Sequence, residues 1–146
     1  MTVRVQAEPF DPGSELSGFA QGRTDVGAVV SFTGVVRDDT GTLREMMIEH
    51  YPGMTEKAIS GIVAEARDRW SLRDVLVIHR HGPLAPAEQI MMVATAAPHR
   101  ADAFAAAEFL MDYLKSRAPF WKREVTADGA AWVAAKDEDE DALSRW

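Results

Sequence analysis

From Ile90 to Pro98 the chain is apolar except for Thr95. The stretch is far short of the ~20 residues that span a bilayer. It also lacks the apolar/polar alternation of a strand with one wet face. The pattern predicts a strand over 89–96 covered on both faces, which requires packing layers on either side. The next segment can provide one. Over 100–117, Ala103, Phe104, Ala107, Leu110, Met111 and Leu114 form one broad apolar stripe at helical spacing, and Pro119 stops the helix. A second amphipathic helix is predicted over 55–70, with Ala58, Ile59, Ile62, Val63, Ala66 and Trp70 on its apolar face and Pro52–Gly53 just before it.

The remaining segments read as shorter elements. Thr2–Ala7 alternates like a half-buried strand, and Ser14–Ala20 reads as a short helix. Val26–Arg37 is long and rich in β-branched residues, and Gly34 marks a bulge or a close backbone approach within it. Leu43–Tyr51 returns as a strand after a polar turn. Val75–His79 is a further strand, separated from 89–96 by the turn-rich HGPLAPAE. Phe120–Thr126 and Ala131–Ala134 read as short strands, and Asp137 begins a final helical turn. Strands and helices neither alternate strictly nor segregate, which predicts an α+β fold with a mixed, mostly antiparallel sheet and two main helices. No repeat, low-complexity linker or Gly/Ser hinge divides the 146 residues, so the expectation is one domain over 1–146.

Charge narrows the ligand class. The 23 acidic residues exceed the 16 basic ones, but five of the acids fall in the run Asp137–Asp141. Without that run the balance is nearly neutral. Lys115, Arg117, Lys122 and Arg123, by contrast, lie within nine residues that contain no acid. A local basic patch on an otherwise acidic chain suits a small anion better than a nucleic acid, which favours a broadly basic face. The start, MTVRVQAEPFDPGSE, has no apolar h-region, so a soluble cytoplasmic chain is expected. Cysteine is absent, which excludes disulfides, thiolate metal sites and a cysteine nucleophile. Sulfur or acyl chemistry would need another residue or a partner's group.

Several residues are candidates for chemistry. His99 and Arg100 stand where a helix N-terminus favours an anion, although a surface arginine and a helix-start histidine would look the same. Lys115 and Lys122, brought together, would repel each other, and burial would ease the loss of a proton near neutral pH. Lys115 could equally serve only to complement the helix dipole. Phe120 and Trp121 separate these charges and could wall a pocket for a flat ligand or belong to the core. Arg37, at the end of its strand, is a binding group or a solvated charge. His79 and His81 form an H-x-H pair that can ligate a metal but has no third ligand at suitable spacing, so no metal is assigned.

The segments GAVVSFTGVVRD (27–38), EHYPGMTEKA (49–58), VIHRHG (77–82), PHRADAF (98–104), MDYLKSRAPFWKRE (111–124) and the closing Trp132…Arg145–Trp146 resemble, in order, the large catalytic subunit of molybdopterin synthase. The resemblance runs from about Phe10 to Trp146. It implies an α/β hammerhead fold and a homodimer of large subunits within a heterotetramer. Each large subunit would bind a small ubiquitin-like subunit whose C-terminal Gly–Gly thiocarboxylate enters a pocket. The implied reaction places two sulfurs on cyclic pyranopterin monophosphate to form the dithiolene of molybdopterin. The resemblance implies no cofactor, membrane or nucleic acid, and a chain without cysteine would take its sulfur from the partner.

By motif, the resemblance makes Lys115 and Lys122 the catalytic lysines. It makes Arg37, His99 and Arg100 substrate-binding residues, with Val35 and Val36 lining the approach and Arg123 and Glu124 beside Lys122. Phe32, Met111 and Phe120 would wall the pocket. Three features depart from the family pattern: His81 replaces an aliphatic residue, the loop after Arg37 is short, and Lys136 stands in place of an arginine. Two other classes fit the residues. One is a non-catalytic module gripping a ubiquitin-like tail or a phosphorylated metabolite; the other is a metal-assisted hydrolase built on His79 and His81.

Overall fold

A computed structural model describes residues 1–134 and 136–146. In chain order these form β1 (Thr2–Gln6), α1 (Pro12–Gly18), β2 (Ala28–Val35), β3 (Leu43–His50), α2 (Met54–Arg69), β4 (Asp74–Arg80), β5 (Gly82–Leu84), β6 (Gln89–Ala97), α3 (Arg100–Ser116), β7 (Phe120–Thr126), β8 (Gly129–Trp132) and α4 (Asp137–Ala142), with a 3-10 turn at Leu143–Arg145. The strands divide into two four-stranded sheets, β1-β4-β6-β2 and β5-β3-β7-β8. Only the β1–β4 pairing is parallel among those described. The α+β class and the antiparallel bias thus hold, while the expected single sheet is two. The turn-rich stretch after His81 contains β5, whose Leu84 is fully buried and lies opposite Met46. Its glycine and prolines concealed a strand of three residues.

β6 lies inside the first sheet and is buried at every residue after Gln89. Its two faces feed different cores. Val93 and Met91 join Val75 and Val77 of β4 in the main core, where α2 supplies Ile59, Ile62, Val63 and Ala66 and α3 supplies Ala103, Ala106, Phe109 and Leu110. Met92 and Ala94, with Leu76 and Ile78, form a smaller cluster on the opposite face, covered by Phe10 and Phe19 at either end of α1. Fully burying each large side chain contributes about 1.5–3 kcal/mol, so both layers are needed to hold an all-apolar strand out of water. Thr95, the one hydroxyl in the run, donates to the Ala103 carbonyl at 2.7 Å and is satisfied within the core.

Local chemistry sets the joints. The β2–β6 register shifts between Gly34 and Val35, the irregularity expected at Gly34. A Cβ on Gly34 would press on the Met91 side chain. Gly27 is required for a different reason: a Cβ there would collide with the Pro98 carbonyl oxygen, just before α3 begins. α2 starts after Gly53 at φ 82°, and the Gly53 N–H donates to Glu56 Oε2 at 2.7 Å. Trp146 closes the far side of α3. Its indole N–H donates to Asp112 at 2.6 Å, and its ring meets Phe109 and Trp70 edge-on.

Candidate active site

The basic segment turns a corner. α3 ends with Lys115 in its last turn, and the Arg117 N–H caps it on the Tyr113 carbonyl at 2.7 Å. Pro119 forbids continuation, and β7 then runs back antiparallel to β3, with Phe120 opposite His50 and Lys122 opposite Ile48. Strand alternation puts Phe120, Lys122 and Glu124 on one face of β7 and Trp121 and Arg123 on the other. Phe120 packs against the main core, so the Lys122 stem is drawn in beside it.

Burial is the main cause of Lys122's lowered pKa, about 8, and the neighbouring positive charge of Lys115 lowers it further. Asp139 on the acidic α4 pulls the other way, and Lys136 adds to the lowering. The two lysines are close enough for the charge of Lys115 to act on Lys122, and burial makes Lys122 the one that gives up its proton more easily.

His79 sits in the same cluster. It occupies the main-core face of β4 in register with Val75 and Val77, and it is only 6% exposed. Its ring stacks on Phe120 at 3.8 Å between centroids, 17° from parallel. Its Nδ1 lies 2.8 Å from the Arg80 carbonyl, which makes Nδ1 the donor. Burial pushes its pKa down to about 3, only partly offset by that hydrogen bond, and the charges of Lys122, Lys115 and His81 lower it further. β4 ends at Arg80, and the His81 ring stacks instead on His50 at 4.0 Å. The two histidines of the H-x-H pair thus face different ring partners, and no group of three or more potential metal ligands occurs among the described residues.

The other expected site residues divide between two locations. Arg37 follows β2 and is exposed, 3.3 Å from Asp39. It lines a cavity of about 180 Å³ together with Asp38, Thr40, Leu43 and Glu124, so Arg37 and Glu124 are brought together. β2 runs antiparallel to β6, with Val35 opposite Gln89, and α3 returns from the end of β6. Arg37 therefore lies toward the same end of the first sheet as Lys115. Phe32 is 43% exposed on the edge strand β2, and Met111 is half-buried one turn before Lys115. Val35 is exposed.

Two expectations need correction, those for Val36 and Arg123. Val36 does not line an approach. It is 2% exposed within the main core, and its N–H and C=O are taken by the Glu88 carbonyl and the Ala87 N–H at 2.9 and 2.8 Å. The bulge after Gly34 turns its side chain inward. Arg123 is not beside Lys122 in space: it lies on the opposite face of β7, with its guanidinium 5.4 Å from the Trp132 ring. His99 and Arg100 are exposed at the N-terminus of α3, while Lys115 lies fifteen residues along the same helix. At ~1.5 Å per residue the two ends are about 22 Å apart, so one chain does not bring all these basic residues to a single small ligand. Sequence reasoning also missed Thr55. It is fully buried and donates from Oγ1 to the Pro119 carbonyl, fixing the corner between the lysines.

A two-sheet α+β fold whose proline corner carries two lysines, one of them partly buried with a lowered pKa, and which has no thiol, defines a class of chain whose candidate reactive groups are amines. Its relatives narrow that class. The family model described as MoaE protein matches residues 5–117. The molybdopterin synthase catalytic subunit of Cereibacter sphaeroides is 70% identical over 146 residues, covering 100% of both chains. The solved molybdopterin biosynthesis MoaE protein from Burkholderia ambifaria superimposes with a TM-score of 0.86 at 51% identity, covering 99% of this chain and 97% of that one. Molybdopterin synthase from Staphylococcus aureus gives 0.81 at 31% identity, covering 90% and 96%. The chain belongs to the MoaE family, that of the molybdopterin synthase catalytic subunits.

Proposed function

We propose that the chain catalyses sulfur transfer from the C-terminal thiocarboxylate of a small ubiquitin-like subunit to cyclic pyranopterin monophosphate, forming the dithiolene of molybdopterin. The observation that carries this reading is Lys122, partly buried beside Lys115 and held near pKa 8. A module that only gripped an anion would gain by keeping both lysines fully charged. A lysine that can release and regain a proton serves a reaction in which the precursor's oxygen must leave as sulfur arrives. Lys115, exposed in the last turn of α3, would meet the tail and stabilise the developing oxyanion. Each sulfur passed leaves the tail an ordinary carboxylate once water has supplied the missing oxygen. Because the chain has no cysteine, the thiocarboxylate is the only sulfur source in this scheme.

The two ends of α3 bear on assembly. Lys115 and Lys122 lie at one end with Arg37, and His99 and Arg100 at the other, too far apart for one phosphorylated pterin. A homodimer that sets the start of one chain's α3 against the two lysines of its partner completes the site, with a small subunit on each chain. The whole of 1–146 would act as one unit in the cytoplasm. No helix among the described residues is long and apolar enough to cross a membrane.

The test mixes the chain with precursor and either thiocarboxylated or ordinary small subunit, and follows precursor mass in a single turnover. Mass should rise only with the thiocarboxylated partner. Sulfur incorporation from free sulfide without that partner would overturn the scheme, and so would a complete absence of product with it.

A further inference from the structure

The His79 ring belongs to neither lysine and is not needed as a base, yet it occupies the joint between the two sheets. β4 delivers it from the first sheet and Phe120 meets it from the second. On the core-facing side of β4 the residues are Val75, Val77 and then His79, so an aliphatic side chain would fill the position by simple burial. An imidazole adds two things. Its flat face stacks on Phe120 at 3.8 Å, and its Nδ1–H donates to the Arg80 carbonyl at 2.8 Å, so the plane of the ring is held and not only its volume. Lys122 stands two residues beyond Phe120 on the same face of β7. The stack therefore lies on the side of β7 that carries Lys122, close enough for the lysine's charge to act on His79.

We propose that His79 is a positioning residue: its ring, fixed by the Arg80 carbonyl and stacked on Phe120, holds the face of β7 from which Lys122 projects and keeps water from the lysine's inner side. This goes beyond the sulfur-transfer reading only in adding a residue to the same site, and it rests on that reading for its catalytic consequence. The charged and titratable groups around the pair are Lys115 from α3, Lys136 and Asp139 at α4, and Arg80 and His81 following His79 itself. His79 stays neutral throughout the physiological range and adds no charge to the lysines. Its influence on Lys122 is thus through exclusion of water, and losing the ring should raise the lysine's pKa.

The experiment titrates Lys122 in the full-length chain by NMR of lysine labelled at Cε, comparing wild type, His79→Ala and His79→Phe. The wild-type midpoint is expected near 8. In His79→Ala it should rise by about one unit or more as water reaches the amine. In His79→Phe, which restores a stacking ring, it should return most of the way. An unmoved midpoint in a folded His79→Ala chain overturns the proposal, as does a His79→Phe chain shifted as far as the alanine variant. If His79→Ala does not fold, His79→Gln replaces it; it has similar reach and polarity but no ring, and it is expected to shift like alanine, with no shift again overturning the idea. In the complete enzyme, His79→Ala should lower kcat roughly tenfold while KM for the precursor changes less than about threefold. A change confined to KM counts against positioning. If the wild-type enzyme shows no turnover, the sulfur-transfer reading fails and the titration still decides the role of His79.

Discussion

The Thr55 hydroxyl donates to the Pro119 carbonyl at 3.0 Å and accepts from the Tyr51 N–H at 3.0 Å. One fully buried side chain thus ties the start of α2 to the end of β3 and to the proline corner between Lys115 and Lys122. Replacing it with valine keeps the volume but leaves a part-buried N–H and a part-buried C=O without that partner. Thr55→Val should therefore cost about 1–3 kcal/mol in denaturant unfolding, and Thr55→Ser much less. Equal stability of Thr55→Val and wild type would show that water satisfies both groups.

Lys115→Ala and Lys122→Ala should each reduce turnover by roughly 10²-fold or more, since each removes a group placed to move a proton or hold an oxyanion. Small-subunit binding, followed by calorimetry, should change far less. Turnover within a few-fold of wild type would remove that lysine from the mechanism.

The depressed pKa of Lys122 also predicts how stability varies with pH. An unfolded lysine titrates near 10.5 and the folded one near 8. Between those values the unfolded chain holds more protons, so stability rises with pH across that window. Below pH 8 the buried charge is a standing cost. Lys122→Met should be more stable than wild type at pH 7, by at most about 3 kcal/mol and less where water reaches the amine, with the gap closing as pH rises from 8 toward 10. Parallel stability curves would show that the folded lysine is not depressed.

His79 acts on the acid side. Its folded pKa lies near 3, well below its unfolded value near 6.5, so the folded state resists a proton that the unfolded state accepts. Stability is retained above pH 6.5 and falls as pH drops toward 3. Chemical unfolding of His79→Phe at a series of pH values should show a shallower acid-side loss. An unchanged slope would assign that loss to the carboxylates alone.

A mixture of variants tests the shared site. Arg37→Ala and Arg100→Ala should each raise KM for the precursor, because a charge-assisted phosphate contact is worth about 1.5–3 kcal/mol. If Arg100 serves the partner's lysines, then at precursor levels low enough that Lys115→Ala and Arg100→Ala homodimers each turn over little, the two chains refolded together should recover about a quarter of wild-type turnover. Half of randomly paired dimers are hybrid, and each hybrid carries one intact site. No recovery would show that Arg100 does not serve the partner's lysines.

Much of this was legible in the chain itself. The unbroken apolar run implied a strand with two covered faces, and β6 is buried on both because α2 and α3 take one side and the α1 segment the other. The helix periods located α2 and α3 to within a residue or so, Gly34 marked the bulge, and Pro119 marked the corner. These features are local, governed by periodicity, backbone permissiveness and the missing proline N–H. Lys115 and Lys122 could be paired by motif, but their closeness and the depressed pKa of one depended on where β7 folds back.

What the sequence determined by itself was the set of elements other than β5, the absence of any thiol and the basic corner with its two lysines. Those follow from neighbours along the chain. Only the tertiary structure decided that the strands split into two sheets, that Val36 faces the core while Val35 faces out, and that Arg123 turns away from Lys122. It also decided that His79 meets Phe120 across the joint between the sheets. Each of these depends on register and on which surfaces meet, and a one-residue shift in register or a different crossover would reverse it with no change in composition or spacing.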